Sequence, residues 1–190
     1  IVADAASYTT TFSYDWRNRQ IGKSNPDGTS VSVTLDNLGR ITQHLTYRTG
    51  GSVLGKKQEA DYDAVGNVYA TRDYAVSDTG VVGLPAWTRT WYDKRGNTIK
   101  SKDPSGLMRK AQYDGAGRRW RIATTVDTSE VDTDYASAAS MTNDKIVEQT
   151  ESVLNAANDR LFQVVFKRKD SDATTGLLTA ATAVPLATVT

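Results

Sequence analysis

The chain has 190 residues, enough for one domain or a stack of small units that buries a sizeable core. Its 23 basic and 22 acidic side chains nearly cancel, which leaves no basic stripe of the kind that nucleic-acid binding requires. The absence of cysteine excludes disulfides, thiolate chemistry and cysteine metal sites, and no run of about 18 apolar residues is present to cross a bilayer as a helix.

The chain begins at Ile1 with no charged region ahead of an apolar one, and is expected to be a piece of a longer polypeptide. From Thr10 onward, Thr11, Ser13 and Asp15 alternate with Phe12 and Tyr14, the period of a strand. Asp15 to Asn18 reads as a turn, because an Asp at its start bonds the backbone N–H two residues on and Asn tolerates positive φ at its end. Arg19 to Lys23 is a short return strand, and Asn25-Pro26-Asp27-Gly28 turns the chain again. Val31, Val33 and Leu35 share one face of the next strand, which enters the turn Asp36-Asn37-Leu38-Gly39.

The pattern returns along the chain. Tyr14-Asp15 precedes Asn18-Arg19, Tyr62-Asp63 precedes Gly66-Asn67, Tyr92-Asp93 precedes Gly96-Asn97, and Tyr113-Asp114 precedes Gly117-Arg118, with Leu35-Asp36 and Gly39-Arg40 as a degenerate copy. The tyrosine positions, with Leu35 in the degenerate copy, lie 21, 27, 30 and 21 residues apart. Two strands of about six residues and two turns of about four account for the basic spacing. Each repeat is therefore expected to be one β-hairpin plus its connection, and consecutive hairpins to pair into a long antiparallel sheet. Thr49-Gly50-Gly51-Ser52 and Ser77-Asp78-Thr79-Gly80, with Gly83 and Pro85, lengthen the wider intervals.

Between Trp87 and Thr124 the same order recurs. Trp87, Arg89 and Trp91 fall on one strand face, and the turns Asp93 to Gly96, Asp103 to Gly106 and Asp114 to Gly117 follow. Alternation places Arg119 and Arg121 together on one solvated face, opposite Trp120 and Ile122. Beyond this point the pattern weakens. Leu154 to Asp159 is a worn turn motif 41 residues after Tyr113, close to two repeats. Residues 144–166 also fit a helical face, but Gln163 to Lys167 reads as strand and strands are favoured; 171–175 reads as a loop and the end of the chain as an edge strand. Residues 1–124 are thus expected to be a well-formed array, and 125–190 its degenerate continuation with longer loops.

The recurring Tyr-Asp-x-x-Gly-Asn/Arg, in phase with Asn-Pro-Asp-Gly and Asp-Pro-Ser-Gly turns, resembles the RHS/YD-repeat family of bacterial polymorphic toxins, insecticidal toxin complexes and teneurins. The likeness covers about residues 10–124 well. It implies a mainly β fold: a long curved sheet of hairpins, a segment of a shell wall. The implied role is non-enzymatic, enclosing or presenting another polypeptide such as a C-terminal toxin domain. The implied partners are the rest of its own shell and that polypeptide, and the implied setting is extracellular or the cell surface. An alternative is an adhesin-like surface module binding a glycan or a cell-surface protein through Trp87 and Trp91.

The residues carrying the repeat turns are Tyr14, Asp15, Asn18, Asp36, Gly39, Tyr62, Asp63, Gly66, Tyr92, Asp93, Gly96, Tyr113, Asp114 and Gly117. No catalytic residue, metal site or cofactor is implied. Certain shells of this family cleave themselves near Asp-Pro-x-Gly, but Asp103 to Gly106 occupies the ordinary second-turn slot, 11 residues after Tyr92. His44 is the sole histidine and has no partner for a triad or a metal pair. The aspartates fall one per turn, unlike a calcium loop, and Asp132-Thr133-Asp134 lacks the remaining ligands. Trp16, Trp87, Trp91 and Trp120 are expected to pack in the core or in cross-strand ladders. Arg118, Arg119 and Arg121 are expected to be solvated rather than to bind phosphate.

Overall fold

The computed structural model of the protein describes residues 8–126, 135–179 and 181–189. Its strands are β1 (Thr11–Tyr14), β2 (Gln20–Ser24), β3 (Ser30–Leu35), β4 (Ile41–Tyr47), β5 (Leu54–Tyr62), β6 (Val68–Val76), β7 (Val82–Tyr92), β8 (Thr98–Lys102), β9 (Met108–Tyr113) and β10 (Arg119–Thr125). A short helix α1 (Tyr135–Ala139) follows, then β11 (Ile146–Leu154), β12 (Arg160–Arg168) and β13 (Ala183–Val189). Hydrogen-bonding order equals chain order across the 13-stranded sheet. The expected array of successive antiparallel hairpins is what the chain forms, and residues 144–166 contain the hairpin β11–β12, not a helix. The Asp132-Thr133-Asp134 cluster lies outside the described residues.

One backbone rule builds every Tyr-Asp hairpin. The last residue of the entering strand faces the residue six positions on: Tyr14 faces Gln20, Leu35 faces Ile41, Tyr62 faces Val68, Tyr92 faces Thr98, Tyr113 faces Arg119 and Leu154 faces Arg160. The ladder then skips one residue on the return strand, a β-bulge. The skipped residues are Ile21, Thr42, Tyr69, Ile99, Trp120 and Leu161. Five of these six are apolar or aromatic, so the bulge residue, six places after the turn-opening Asp or Asn, is a further repeat position that the Tyr-Asp motif alone does not reveal.

The bulge corrects the expected placement of Arg119 and Arg121. Residues directly opposite one another in a ladder share a face. Arg119 faces Tyr113 and Arg121 faces Gln112, and Tyr113 and Gln112 are consecutive on β9. The phase shift at Trp120 therefore sends the two arginines to opposite faces of the sheet.

The chain divides into two compact units, Ile1–Trp87 and Thr88–Thr190. In the first, Ala70 is the sole buried side chain among the described residues. An apolar layer is replaced there by a polar network across β4 to β7. Glu59 accepts hydrogen bonds from Gln43 Nε2 at 3.2 Å and Tyr74 Oη at 2.7 Å, and pairs with Lys57 and Arg72, each at 3.0 Å. Arg72 also pairs with Asp61 at 2.6 Å and lies over the Trp87 ring.

The second unit has a core. Ala123, Met141, Ile146, Leu178 and Ala183 pack together with Phe166 against them. They are brought together because residues 135–145, before β11, and 169–179, after β12, fold back onto one face of the sheet. Polar side chains tie them down. Lys110 is 1 % exposed and donates to Ser137 O at 2.6 Å, Ser140 O at 2.7 Å and Asp144 Oδ1 at 2.9 Å. Gln149, fully buried, donates to Leu178 O and accepts from Leu178 N, as a neighbouring strand would. Arg168 donates to Ile146 O and Gly176 O and pairs with Asp172.

Removing one member of a buried ion pair strands the other, at a cost of about 3–5 kcal/mol. Asp144→Ala is therefore expected to destabilise the second unit by about that amount in urea unfolding, while Lys110→Met combined with Asp144→Leu recovers most of the loss. Equal losses in the single and double variants would show that the pair is not the anchor. Separately, among the described residues β1 and β13 each have one strand neighbour, and an open edge pairs with other chains. Sedimentation velocity is expected to show concentration-dependent self-association, and a monomer across the concentration range would contradict it.

Candidate functional site

The repeated turns are the most uniform chemical feature of the chain. In the first, Asn18 N donates to Asp15 O and Asp15 N to Arg19 O, both at 2.9 Å, with Asn18 at a φ of 60°. The Asp15 carboxylate closes the loop from inside: Oδ1 accepts from Arg17 N and Arg19 N, and Oδ2 from Arg19 Nε at 2.7 Å. Asp36, Asp63, Asp93 and Asp114 repeat the arrangement with their own residues two and four positions on. Gly39, Gly66, Gly96 and Gly117 occupy the left-handed position. In the worn copy Asn155 substitutes its side-chain amide, and Asn158 takes a φ of 71°.

The turns also hold one another. Arg19 Nη1 donates to Asp36 O at 2.8 Å, Arg40 Nη1 to Asp63 O at 3.2 Å, and Arg118 Nη1 to Asn155 O. Arg17 and Arg95, two positions after their aspartates, reach Asn37 O and Gly115 O, each at 2.8 Å. Tyrosines reach in the other direction. Tyr62 Oη donates to Ile41 O and Tyr113 Oη to Thr98 O, each at 2.9 Å. Arg40 lies 4.5 Å over the Tyr62 ring. The Asp114 motif thus grips the next through arginine and the preceding one through tyrosine, the Asp15 and Asp36 motifs use the arginine and the Asp63 motif the tyrosine. Asn67 and Asn97 close back on their own aspartates at 2.9 Å instead. Sequence reasoning assigned the tyrosines to their strands and gave the arginines no role. The signal available was the Arg four residues after Asp15, Asp36 and Asp114.

Hydrogen bonding sets the charge state of the turns. The Asp15 and Asp36 carboxyls lie below the ordinary range, first because of the backbone N–H of Arg19 and of Arg40. For Asp114 the Arg118 side chain leads. For Asp63 and Asp93 burial pushes upward, and the Asn67 and Asn97 bonds outweigh it. Burial also pushes Glu59 upward, but Tyr74, Lys57 and Gln43 together hold it at about 2.

Trp87 and Trp91 sit on β7. Trp87 carries Arg72 at 4.9 Å and Trp91 carries Lys100 at 4.5 Å over the ring. Trp16 departs from the packing expected of it: it stands in a turn, 84 % exposed, beneath Arg17. Asp103 accepts from Ser105 N and Oγ and from Leu107 N, the same closure as the other turns. His44 is half-buried on β4. Among the described residues no group of three or more His, Asp or Glu is placed to hold a metal ion, and no helix is long and apolar enough to cross a membrane.

A sheet whose hairpins share one turn chemistry and one bulged register is a β-hairpin repeat array. No protein-family model matches the chain, and no curated protein matches it in sequence. Solved structures do. A chain of the Tc holotoxin pore from Photorhabdus luminescens is 13% identical with a TM-score of 0.50, over 87% of this chain and 10% of that one. A chain of TcdB2-TccC3 is 11% identical with a TM-score of 0.50, over 87% of this chain and 12% of that one. The protein therefore has the RHS-type fold, and it spans about a tenth of the length of those chains.

The depressed carboxyls make stability depend on acid. A carboxyl whose folded pKa lies below its unfolded value of about 4 adds stability above that value, and the contribution is lost as the pH falls toward the folded pKa. The thermal midpoint is expected to be flat from neutrality to about pH 5 and to fall between about pH 4 and 2. Asp36→Asn and Asp114→Asn are expected to lower the neutral-pH midpoint and flatten this fall. A wild-type midpoint that holds steady down to about pH 2 would remove the turn carboxylates from the account.

Proposed function

We propose that the chain is a wall segment of an RHS-type shell, a non-enzymatic part whose work is to enclose or present another polypeptide outside the cell. A toxin domain following the repeats is the occupant that suits this reading best. One observation carries it: successive turns are fastened to each other by Arg19, Arg40 and Arg118. A fastened rim keeps consecutive hairpins in line where the described residues put no second layer beneath the sheet, as in the first unit, and a wall needs that property more than a binding module does. The likeness to chains of a toxin complex supports a structural, shell-like role. The turn residues from Tyr14 to Gly117 then act as the rim, with the rest of the same shell as their partner. Glycan binding at Trp87 and Trp91 gains no specific observation, since each ring already carries a cation.

Protease protection tests the reading. The protein is expressed in its full reading frame and digested before and after mild urea treatment. Segments outside the repeats are expected to resist digestion until the sheet unfolds. Equal cleavage of those segments before and after would refute enclosure.

A further inference from the structure

A groove in the second unit has a chemistry that wall-building does not require. Arg119, Trp120, Thr150, Ser152, Arg160 and Gln163 are among the residues around a cavity of about 510 Å³. It opens on the face away from α1. Ala123 and Gln149 point into the core on α1's side, so Ile122, Thr150 and Ser152, one position off in the alternation, point the other way.

Its charge comes from one repeat position. The residue five places after each turn-opening Asp or Asn is Gln20, Ile41, Val68 and Thr98 in the first, second, third and fourth copies. In the fifth and sixth it is Arg119 and Arg160. The phase shift at Trp120 and at Leu161 sends both to the groove face. They stand on adjacent turns, because β11 alone separates β10 from β12.

Neither arginine is neutralised. Arg119 is exposed and its side chain makes no hydrogen bond or ion pair with a described residue, and the Arg160 side chain donates to the neutral Gln163. Arg118 is different, being paired with Asp114 at 2.7 Å. No carboxylate lines the cavity. Asp159 accepts from Asn155 across its own turn, and Glu148 on β11 stands opposite Lys167. Two guanidinium groups with free donors match the oxygens of a tetrahedral anion. Beside them, Thr150, Ser152, Asn158 and Gln163 can each donate and accept, as a sugar's hydroxyls require; Trp120 also lines the groove, but Arg121 lies 4.1 Å over its ring, so the indole has no part in holding the sugar.

We propose that this groove binds a saccharide carrying a phosphate or sulfate monoester, with Arg119 and Arg160 holding the anion and the hydroxyl and amide side chains holding the ring. The site is independent of the shell reading, and it differs from Trp87 and Trp91 in position and in chemistry. The volume suits one or two sugar units among ligand pockets of about 300–1,000 Å³.

Isothermal titration calorimetry on the intact chain tests it with glucose 6-phosphate, N-acetylglucosamine 6-sulfate, inorganic phosphate and glucose. Saturable binding of at least one ester is expected, weaker binding of inorganic phosphate and none of glucose. The better ester identifies the anion. Arg119→Ala and Arg160→Ala are each expected to weaken the ester by at least about tenfold, with circular dichroism unchanged because neither anchors the fold. Lys56→Ala, an exposed cation on β5, is expected to bind as wild type. Failure of both esters to saturate, or an equal loss in Lys56→Ala, would overturn the site. Inorganic phosphate binding as tightly as the esters would overturn the saccharide assignment.

Discussion

The structure depends on a carboxylate folded into its own turn. Asp15 takes two backbone N–H groups with one oxygen and an arginine with the other. The residue three places on is left-handed, as Asn18 and Gly39 are. That geometry fixes where the return strand starts and forces the bulge that follows it. Six copies give the same offset between facing residues. Register in a sheet is usually held by a buried apolar face. Here each turn sets it locally, so the first unit keeps its register with Ala70 as its sole buried side chain among those described.

What such a sheet lacks is a reason for neighbouring hairpins to stay together beyond their ladder bonds. Arginine and tyrosine supply it by spanning from turn to turn in opposite directions. An arginine bound to its own Asp is already oriented when it meets the next carbonyl, so less side-chain entropy is lost per bond. Asn67 and Asn97 keep the inner bond and are too short for the outer one. At the Asp93 turn, Arg95 provides the reach from two residues earlier. The second unit adds another solution, an apolar core under two long connections, pinned by Lys110, Gln149 and Arg168.

The repeat, the turns and the strand order were legible because their chemistry is local. An Asp, a Gly and the alternation before them lie within a few residues of each other. What was not legible depends on residues far apart. Arg19 and Asp36 are separated by a whole hairpin, and α1 is positioned by Lys110 from a strand that precedes it. Alternation misplaced Arg119 and Arg121 because a single skipped residue reverses the phase of everything after it. Trp16 broke the packing expectation because it belongs to the turn's geometry, which holds its side chain outside the sheet. Where a worn motif kept the geometry, as Asn155 and Asn158 did, its spacing in phase with the repeats gave it away.

A fold specified by its turns leaves its faces free to differ. The positions that set the register are the Asp, the left-handed residue and the bulge, and the remaining strand residues can vary without disturbing the sheet. The same sheet therefore carries a polar network around Glu59 in one unit, a buried Lys110–Asp144 pair in the other, and uncompensated arginines on that unit's opposite face. The bulge sharpens this freedom. It places residues two apart on different faces, so Arg121 supports the sheet through Glu151 while Arg119 is released to the groove. Arg119 and Arg160 are informative for that reason: the turn determines where position five points, but no contact of the described sheet requires an arginine there.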